Sequence, residues 1–381
     1  MRWFHSANRF PIGIPAGLLL LAASLLIIGV PSGQSQTNDV LPRFFSYFGA
    51  DLSKMDEMAQ RYRVVIWHNH PNLRAALNPM RNRRPDLTAF MYRELFCVLQ
   101  QETPLEESVG SYEWITLYHP DWFQLDTSGR RVEIPDYPGR WMMNFSNAGW
   151  REFWIRETLQ DVIDGGWDGV FADDALTALS AHNLPPLAGY TNDSELQQAV
   201  YEFLSQATQA FHSAGKLLVA NASNTYDYPG LWERWIDVTD GLMEEHFDGE
   251  SWTWGKHVAP GQLQAMWSAA AKGKWVFCMT YGPWGDLGRM RTSLLAYLVA
   301  GGPRAYWAYR PYENSDKPAW HPSWLLPVGR PLENPQQQTG LWSRRFEQGT
   351  VVVNILDVPQ LITIGRVQVQ LAPQQSLLIE P

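Results

Sequence analysis

The sequence predicts an α/β fold, a (β/α)8 TIM barrel followed by a small C-terminal antiparallel β-domain. Short apolar runs alternate with helical patterns along most of the chain, as in a parallel sheet wound with helices. Those runs number eight, the count at which such a sheet closes on itself. After residue 340 the rhythm changes to closely spaced strands joined by short turns.

The chain has 381 residues, 45% of them hydrophobic, enough to bury a large core. Its 19 tryptophans exceed what packing alone requires, so some aromatic rings are expected in a cleft or at the surface. A net charge of −9 without basic runs argues against nucleic acid as a partner, because backbone binding rests on clustered Lys and Arg. A neutral or cationic ligand fits better.

Residues 1–36 read as a signal peptide or N-terminal anchor. Arg2 and Arg9 precede an apolar run over 13–30, and a polar stretch over 31–36 follows. The run is near the shortest that spans a bilayer and no small-x-small cleavage site follows it, so a cleaved signal and a retained membrane anchor both fit. Either way the remainder is expected to be exported, whether secreted, periplasmic or at the cell surface. Cys97 and Cys278 both fall in apolar runs and are expected as buried free thiols rather than a disulfide.

The barrel is expected over 41–312, with strands at 44–50, 64–70, 87–96, 168–174, 216–221, 241–247, 275–281 and 304–310. Helical patterns over 53–62, 150–163, 195–214, 260–271 and 290–300 lie between them. About seventy residues separate the third and fourth strands, far beyond an ordinary loop, which marks a functional excursion. It is rich in aromatics, among them Trp114, Tyr118, Trp122, Tyr137 and Trp141, and 141–145 competes with the first or third run for a place in the sheet. A proline-rich linker is expected over 313–339 and the β-domain over 340–381, with strands at 341–346, 350–355, 360–364, 367–371 and 376–379.

Two strands share a grammar. Asp168-Gly169-Val170-Phe171-Ala172-Asp173 and Asp240-Gly241-Leu242-Met243-Glu244-Glu245 each carry a carboxylate four residues after the glycine. These are the fourth and sixth strands, members of the same alternate set, so Asp173 and Glu245 should stand at similar height at the C-terminal face. Two carboxyls facing one cleft meet the requirement for glycosidic cleavage, one protonated to release the leaving group and one ionised to attack or to activate water. Asp174 and Glu244 are expected to cap, pair or meet solvent, and Asp168 and Asp240 to act at turns. Tyr47, Trp67, His70, Tyr92, Asn221, Tyr281 and Trp307, near other strand ends, furnish candidate sugar contacts, although bulky side chains also fill barrel interiors.

The Asp-Gly-Val-Phe-x-Asp and Asp-Gly-x-Met-x-Glu stretches resemble bacterial TIM-barrel glycoside hydrolases, similar to the α-galactosidase and endo-α-1,4-polygalactosaminidase groups. The resemblance extends to His119-Pro120-Asp121-Trp122 and to Arg345-Phe346-x-x-Gly349-x-Val351-Val352-Val353-Asn354, which is similar to their β-sheet appendage. It implies hydrolysis of O-glycosidic bonds in a carbohydrate, without cofactor or metal, with Asp173 as nucleophile or base and Glu245 as acid. Retention of configuration is implied as well. Many of these relatives carry an Asp where this chain has Asn144.

Two other readings stay open. His68 and His70 fall on one side of a strand and suit a metal-dependent amidohydrolase or deacetylase. A carbohydrate-binding barrel without turnover is the other.

Overall fold

The computed structural model describes residues 41–100, 107–222, 225–247, 260–313, 318–338, 340–364 and 367–380. The segment read as a signal or anchor, 1–36, lies outside the described residues. Among those described, no helix is long and apolar enough to cross a membrane.

Eight parallel strands close into a barrel in chain order: β1 (Phe44–Phe48), β2 (Tyr62–Trp67), β3 (Thr88–Glu94), β4 (Gly169–Asp173), β5 (Leu217–Asn221), β6 (Gly241–Glu244), β7 (Trp275–Gly282) and β8 (Ala305–Pro311). β8 returns to β1 with Phe44 opposite Trp307. Strand pleating divides the side chains into two layers. Phe45, Val64, Ile66, Phe90, Phe171, Val219, Met243 and Phe277 fill the interior, while Val65, Trp67, Val170, Leu242 and Trp307 pack outward against the helices. The tryptophan-rich outer layer explains where many of the 19 rings go.

The two Asp-Gly signatures are structural devices at the bottom of the barrel. A Cβ on Gly169 would lie 2.3 Å from the Leu217 carbonyl oxygen, and one on Gly241 2.4 Å from that of Trp275, so only glycine lets β5 and β7 approach there. The aspartates extend the ladder sideways. Asp168 Oδ2 accepts from the Ala89 amide at 2.8 Å, and Asp240 Oδ2 from the Leu218 amide at 2.8 Å. Register fixed in this way at the bottom sets the height of whatever ends the strand.

The excursion adds no barrel strand. Residues Arg140–Met142 pair antiparallel with Cys97–Leu99 in a two-stranded piece outside the barrel, so 141–145 displaces neither the first nor the third run. Cys97 and Cys278 are buried and free. Asn144 starts an Asx turn, its Oδ1 accepting from the Ser146 amide at 2.9 Å just before the helix Ala148–Asp164.

The C-terminal strands Gln336–Gln338, Leu341–Phe346, Gly349–Asn354 and Ser376–Ile379 form one antiparallel sheet, beside a hairpin of Gln360–Ile364 and Val367–Leu371. Buried Arg344 ties that sheet to the helix Leu287–Ala300, donating to the Val299 carbonyl at 3.4 Å and the Gly301 carbonyl at 2.5 Å. The described part of the proline-rich stretch is packed rather than strung out. Trp324 is buried against Phe44, Trp307 and Trp320, and Ala319 accepts from the Tyr62 hydroxyl at 2.8 Å.

Candidate active site

Counting in twos from the interior apolar residues brings at least one polar side chain from every strand to the C-terminal mouth. β1 gives Tyr47 after Phe45, the end of β2 gives His68 after Ile66, and β3 gives Tyr92 and Glu94 after Phe90. β4 gives Asp173 after Phe171, β5 Asn221 after Val219, and β6 leads to Glu245 after Met243. Tyr281 follows Met279 on β7, and Arg310 follows Tyr306 and Ala308 on β8.

Asp173 and Glu245 meet through Asn221. Its Nδ2 donates to Asp173 Oδ1 at 2.7 Å and to Glu245 Oε2 at 2.6 Å. The far oxygen of each carboxyl is held by a tyrosine. Tyr92 donates to Asp173 Oδ2, and Tyr281 donates to Glu245 Oε1 at 2.5 Å while accepting from Arg310 Nη1 at 3.0 Å. The Arg310 guanidinium lies over the Phe48 ring, 4.3 Å from its centre. Asp173 is 7% exposed. That burial, with Asp174, Glu94 and Glu245 close by, holds its carboxyl well above the usual carboxylate range, although the Tyr92 hydrogen bond opposes the shift.

A third carboxyl stands beside this pair. Glu94, 1% exposed, faces Tyr92 at 3.0 Å and takes a charge-assisted hydrogen bond from Arg140, which also donates to Glu107 at 2.9 Å. Burial and then Asp174 push Glu94 up to about 7, with Arg140 opposing. Arg140 comes from the excursion, and Tyr137 beside it lies 5.3 Å from the His182 ring. The excursion therefore reaches the C-terminal face. His182 pairs with Asp174 at 3.4 Å; burial alone would lower it, but that carboxylate carries the ring above its ordinary range. Backbone strain gathers here too, since Phe48, Asp174, His182 and Asn183 all have positive φ.

The candidates read from sequence separate by side of the strand. Tyr47, Tyr92, Asn221 and Tyr281 stand at the mouth with the two acids. Trp67 and Trp307 do not: both are fully buried between sheet and helices, because each sits one residue out of phase with the interior positions. His70 lies past the end of β2, where its Nδ1 caps the helix Pro71–Arg83 by accepting from the Asn72 amide at 3.2 Å. His68, stacked on Phe48 at 5.2 Å, is the histidine of that pair that faces the mouth. Neither histidine falls in a described group of three or more His, Cys, Asp or Glu side chains close enough to hold a metal ion. The described group of three or more such side chains close enough to share a cation is Glu94, Asp173 and Asp174, one atom from each within 4.8 Å of the others, and Arg140 already sets its charge against Glu94. Glu244 is buried on the outer side of β6 near Cys278 rather than in solvent. Glu94, Arg140, His68 and Arg310 were not among the sugar-cleft candidates; strand parity, run from Phe90 to Glu94, from Ile66 to His68 and from Tyr306 to Arg310, reveals three of them.

A closed parallel barrel with a bridged pair of carboxyls at its C-terminal mouth has the build of a glycoside hydrolase. The chain belongs to hypothetical glycosyl hydrolase family 15, whose family model matches residues 81–350. Among solved structures it is similar to a Flavobacterium johnsoniae dextranase complexed with glucose, at 12% identity and TM-score 0.51, over 90% of this chain and 51% of that one. A mutant of the same dextranase complexed with isomaltotriose gives 11% identity and TM-score 0.52 over the same shares. A maltogenic α-amylase from Thermotoga neapolitana matches at 10% identity and TM-score 0.49, over 89% of this chain and 96% of that one. The dextranase likeness shows the fold alone, and this chain spans about half of that enzyme's length. None of the curated proteins compared with the sequence matches it.

Proposed function

We propose that the protein hydrolyses O-glycosidic bonds of a poly- or oligosaccharide by a two-step route with retention of configuration, using Asp173 as nucleophile and Glu245 as acid, then base. Asn221 carries this proposal. One nitrogen bonds both carboxyls, so their facing oxygens are no further apart than the two bonds laid end to end, about 5.3 Å. Retaining pairs stand roughly 5–5.5 Å apart, whereas inverting pairs need roughly 6.5–9.5 Å to admit a water.

In the first step Glu245 gives its proton to the glycosidic oxygen while an Asp173 oxygen bonds the anomeric carbon and the leaving sugar departs. Water then attacks that carbon, Glu245 takes its proton, and the bond to Asp173 breaks, returning both carboxyls to their starting state. Asn221, Tyr92 and Tyr281 hold the acids in the rotamers that converge, which lowers the cost of reaching the attack geometry. Tyr47 and Tyr281 are the aromatic side chains that line the sugar's path at the mouth. Nucleophile and acid are both supplied by side chains, so no cofactor enters the scheme. The charged-then-apolar pattern of the first 36 residues supports an exported enzyme acting outside the cytoplasm.

Turnover against a broad panel of polysaccharides, amino-sugar polymers included, tests the proposal. Activity that vanishes in both Asp173→Asn and Glu245→Gln is expected. Activity that survives either change, or binding without turnover on every substrate, would overturn it.

A further inference from the structure

Tyr92 has one hydroxyl proton and two carboxyl neighbours. Its oxygen is hydrogen-bonded to Asp173 Oδ2 and lies 3.0 Å from Glu94 Oε1. A single proton serves only one of two carboxylate anions, so both contacts are hydrogen bonds when one carboxyl carries a proton of its own and donates it to the tyrosine oxygen. The charges around Glu94 favour keeping one such proton within the pair. Tyr92 faces it from its own strand, Asp173 and Asp174 from the end of β4, Cys97 and Arg140 from the outer two-stranded piece, and Glu107 and His182 from the loops. Four carboxyls thus crowd one guanidinium and one imidazole. The second oxygen of Glu94 is buried without a partner among the described residues, which is costly for an anion and less so for a neutral acid.

We propose that Glu94 is a positioning residue for the nucleophile: it shares one proton with Asp173 through the Tyr92 hydroxyl and so sets the charge on Asp173. Two forms exchange. In one, neutral Glu94 donates to the Tyr92 oxygen and Tyr92 donates to ionised Asp173. In the other, neutral Asp173 donates to the Tyr92 oxygen and Tyr92 donates to ionised Glu94. Each interconversion moves two protons by one hydrogen bond apiece, and none enters or leaves the site. Arg140, which pairs with Glu94 and not with Asp173, pulls towards the second form, whereas the unpartnered second oxygen of Glu94 pulls towards the first. Positive charge developing at an anomeric carbon beside Asp173 favours the first, the form able to attack. A bound substrate thus draws the charge of the shared pair onto the nucleophile.

The kinetic part rests on the two-carboxylate proposal; the titration part does not. The Asp173 carboxyl carbon, assigned by 13C NMR against Asp173→Asn, is titrated in the wild type, in Glu94→Gln and in Tyr92→Phe. Glu94→Gln removes a nearby negative charge and the competing acid, so Asp173 should titrate about one pH unit lower or more. Tyr92→Phe removes a donor to the Asp173 anion, so the shift should be upward. The acid limb of kcat/KM should follow Asp173 down in Glu94→Gln. An Asp173 titration unmoved in either folded variant, or moved in the same direction in both, would overturn the inference, including the case in which Glu94 merely anchors Arg140 and only Tm falls. If no polysaccharide is turned over, the glycosidase proposal fails while the NMR titration still decides this one.

Discussion

Tyr47 ends in a buried hydroxyl with no hydrogen-bond partner among the described residues, whereas Tyr92 and Tyr281 each hold a carboxyl. Leaving such a group unpaired costs roughly 1–3 kcal/mol, and a bound sugar hydroxyl can relieve it. Tyr47→Phe should therefore keep or raise Tm in a melting experiment while lowering kcat/KM roughly tenfold; a fall in Tm would mean that the hydroxyl is satisfied without substrate. Asp173→Asn and Glu245→Gln remove proton or nucleophile with little change of volume, and each should cost a factor of about 10²–10⁴ or more in turnover with an unchanged fold by circular dichroism. Asp174→Asn, damaging to the same degree, would show that Asp173 was wrongly chosen. Glu94 also predicts a stability trend. Held at about 7 in the fold against 4.5 for a free glutamate, it binds more proton folded than unfolded between those values. Folding stability should then decline as pH rises from 4.5 towards 7, and the decline should be shallower in Glu94→Gln when urea unfolding is followed across that range.

At the scale of the element, the Asp-Gly signature does its work at the bottom of the strand and its effect is read at the top. Gly169→Ala would drive a Cβ to 2.3 Å from the Leu217 carbonyl oxygen, so β4 or β5 must shift. A loss of about 1–3 kcal/mol in stability is expected, with a fall in turnover beyond what the stability loss explains, because Asp173 moves with the strand. Equal offsets from two such glycines are also why the acid pair was legible in the sequence. All eight strands were readable for a related reason: buried parallel strands are apolar on both faces and short, and helical patterns separate them. The same double burial hides direction. Trp67 and Trp307 look like mouth residues in the sequence, yet one step of parity sends them outward. Arg140 was illegible altogether, since a long excursion brings it to Glu94 across 46 positions of sequence. The capping role of His70 was not legible, because it depends on a helix that starts immediately beyond β2.

Across the whole molecule, the β-domain and the proline-rich stretch are parts of the barrel's outer wall. Arg344 enters the wall buried, its charge stabilised by carbonyls at the end of the helix Leu287–Ala300, and burial lowers it to about 10. Trp324 closes the seam where β8 meets β1, packing on Phe44 and Trp307. Trp324→Ala should cost about 3–5 kcal/mol in urea unfolding, and a free tether in this stretch would show almost no loss. That wall holds the ring of strands closed, and the ring holds Asp173 and Glu245 within reach of one Asn221 nitrogen. The separation of the two carboxyls decides between retention and inversion, and it is read by following the anomeric configuration of the first-formed product by NMR, on any substrate the protein turns over. Retained configuration is predicted. A product of inverted configuration would contradict the two-step route through Asp173.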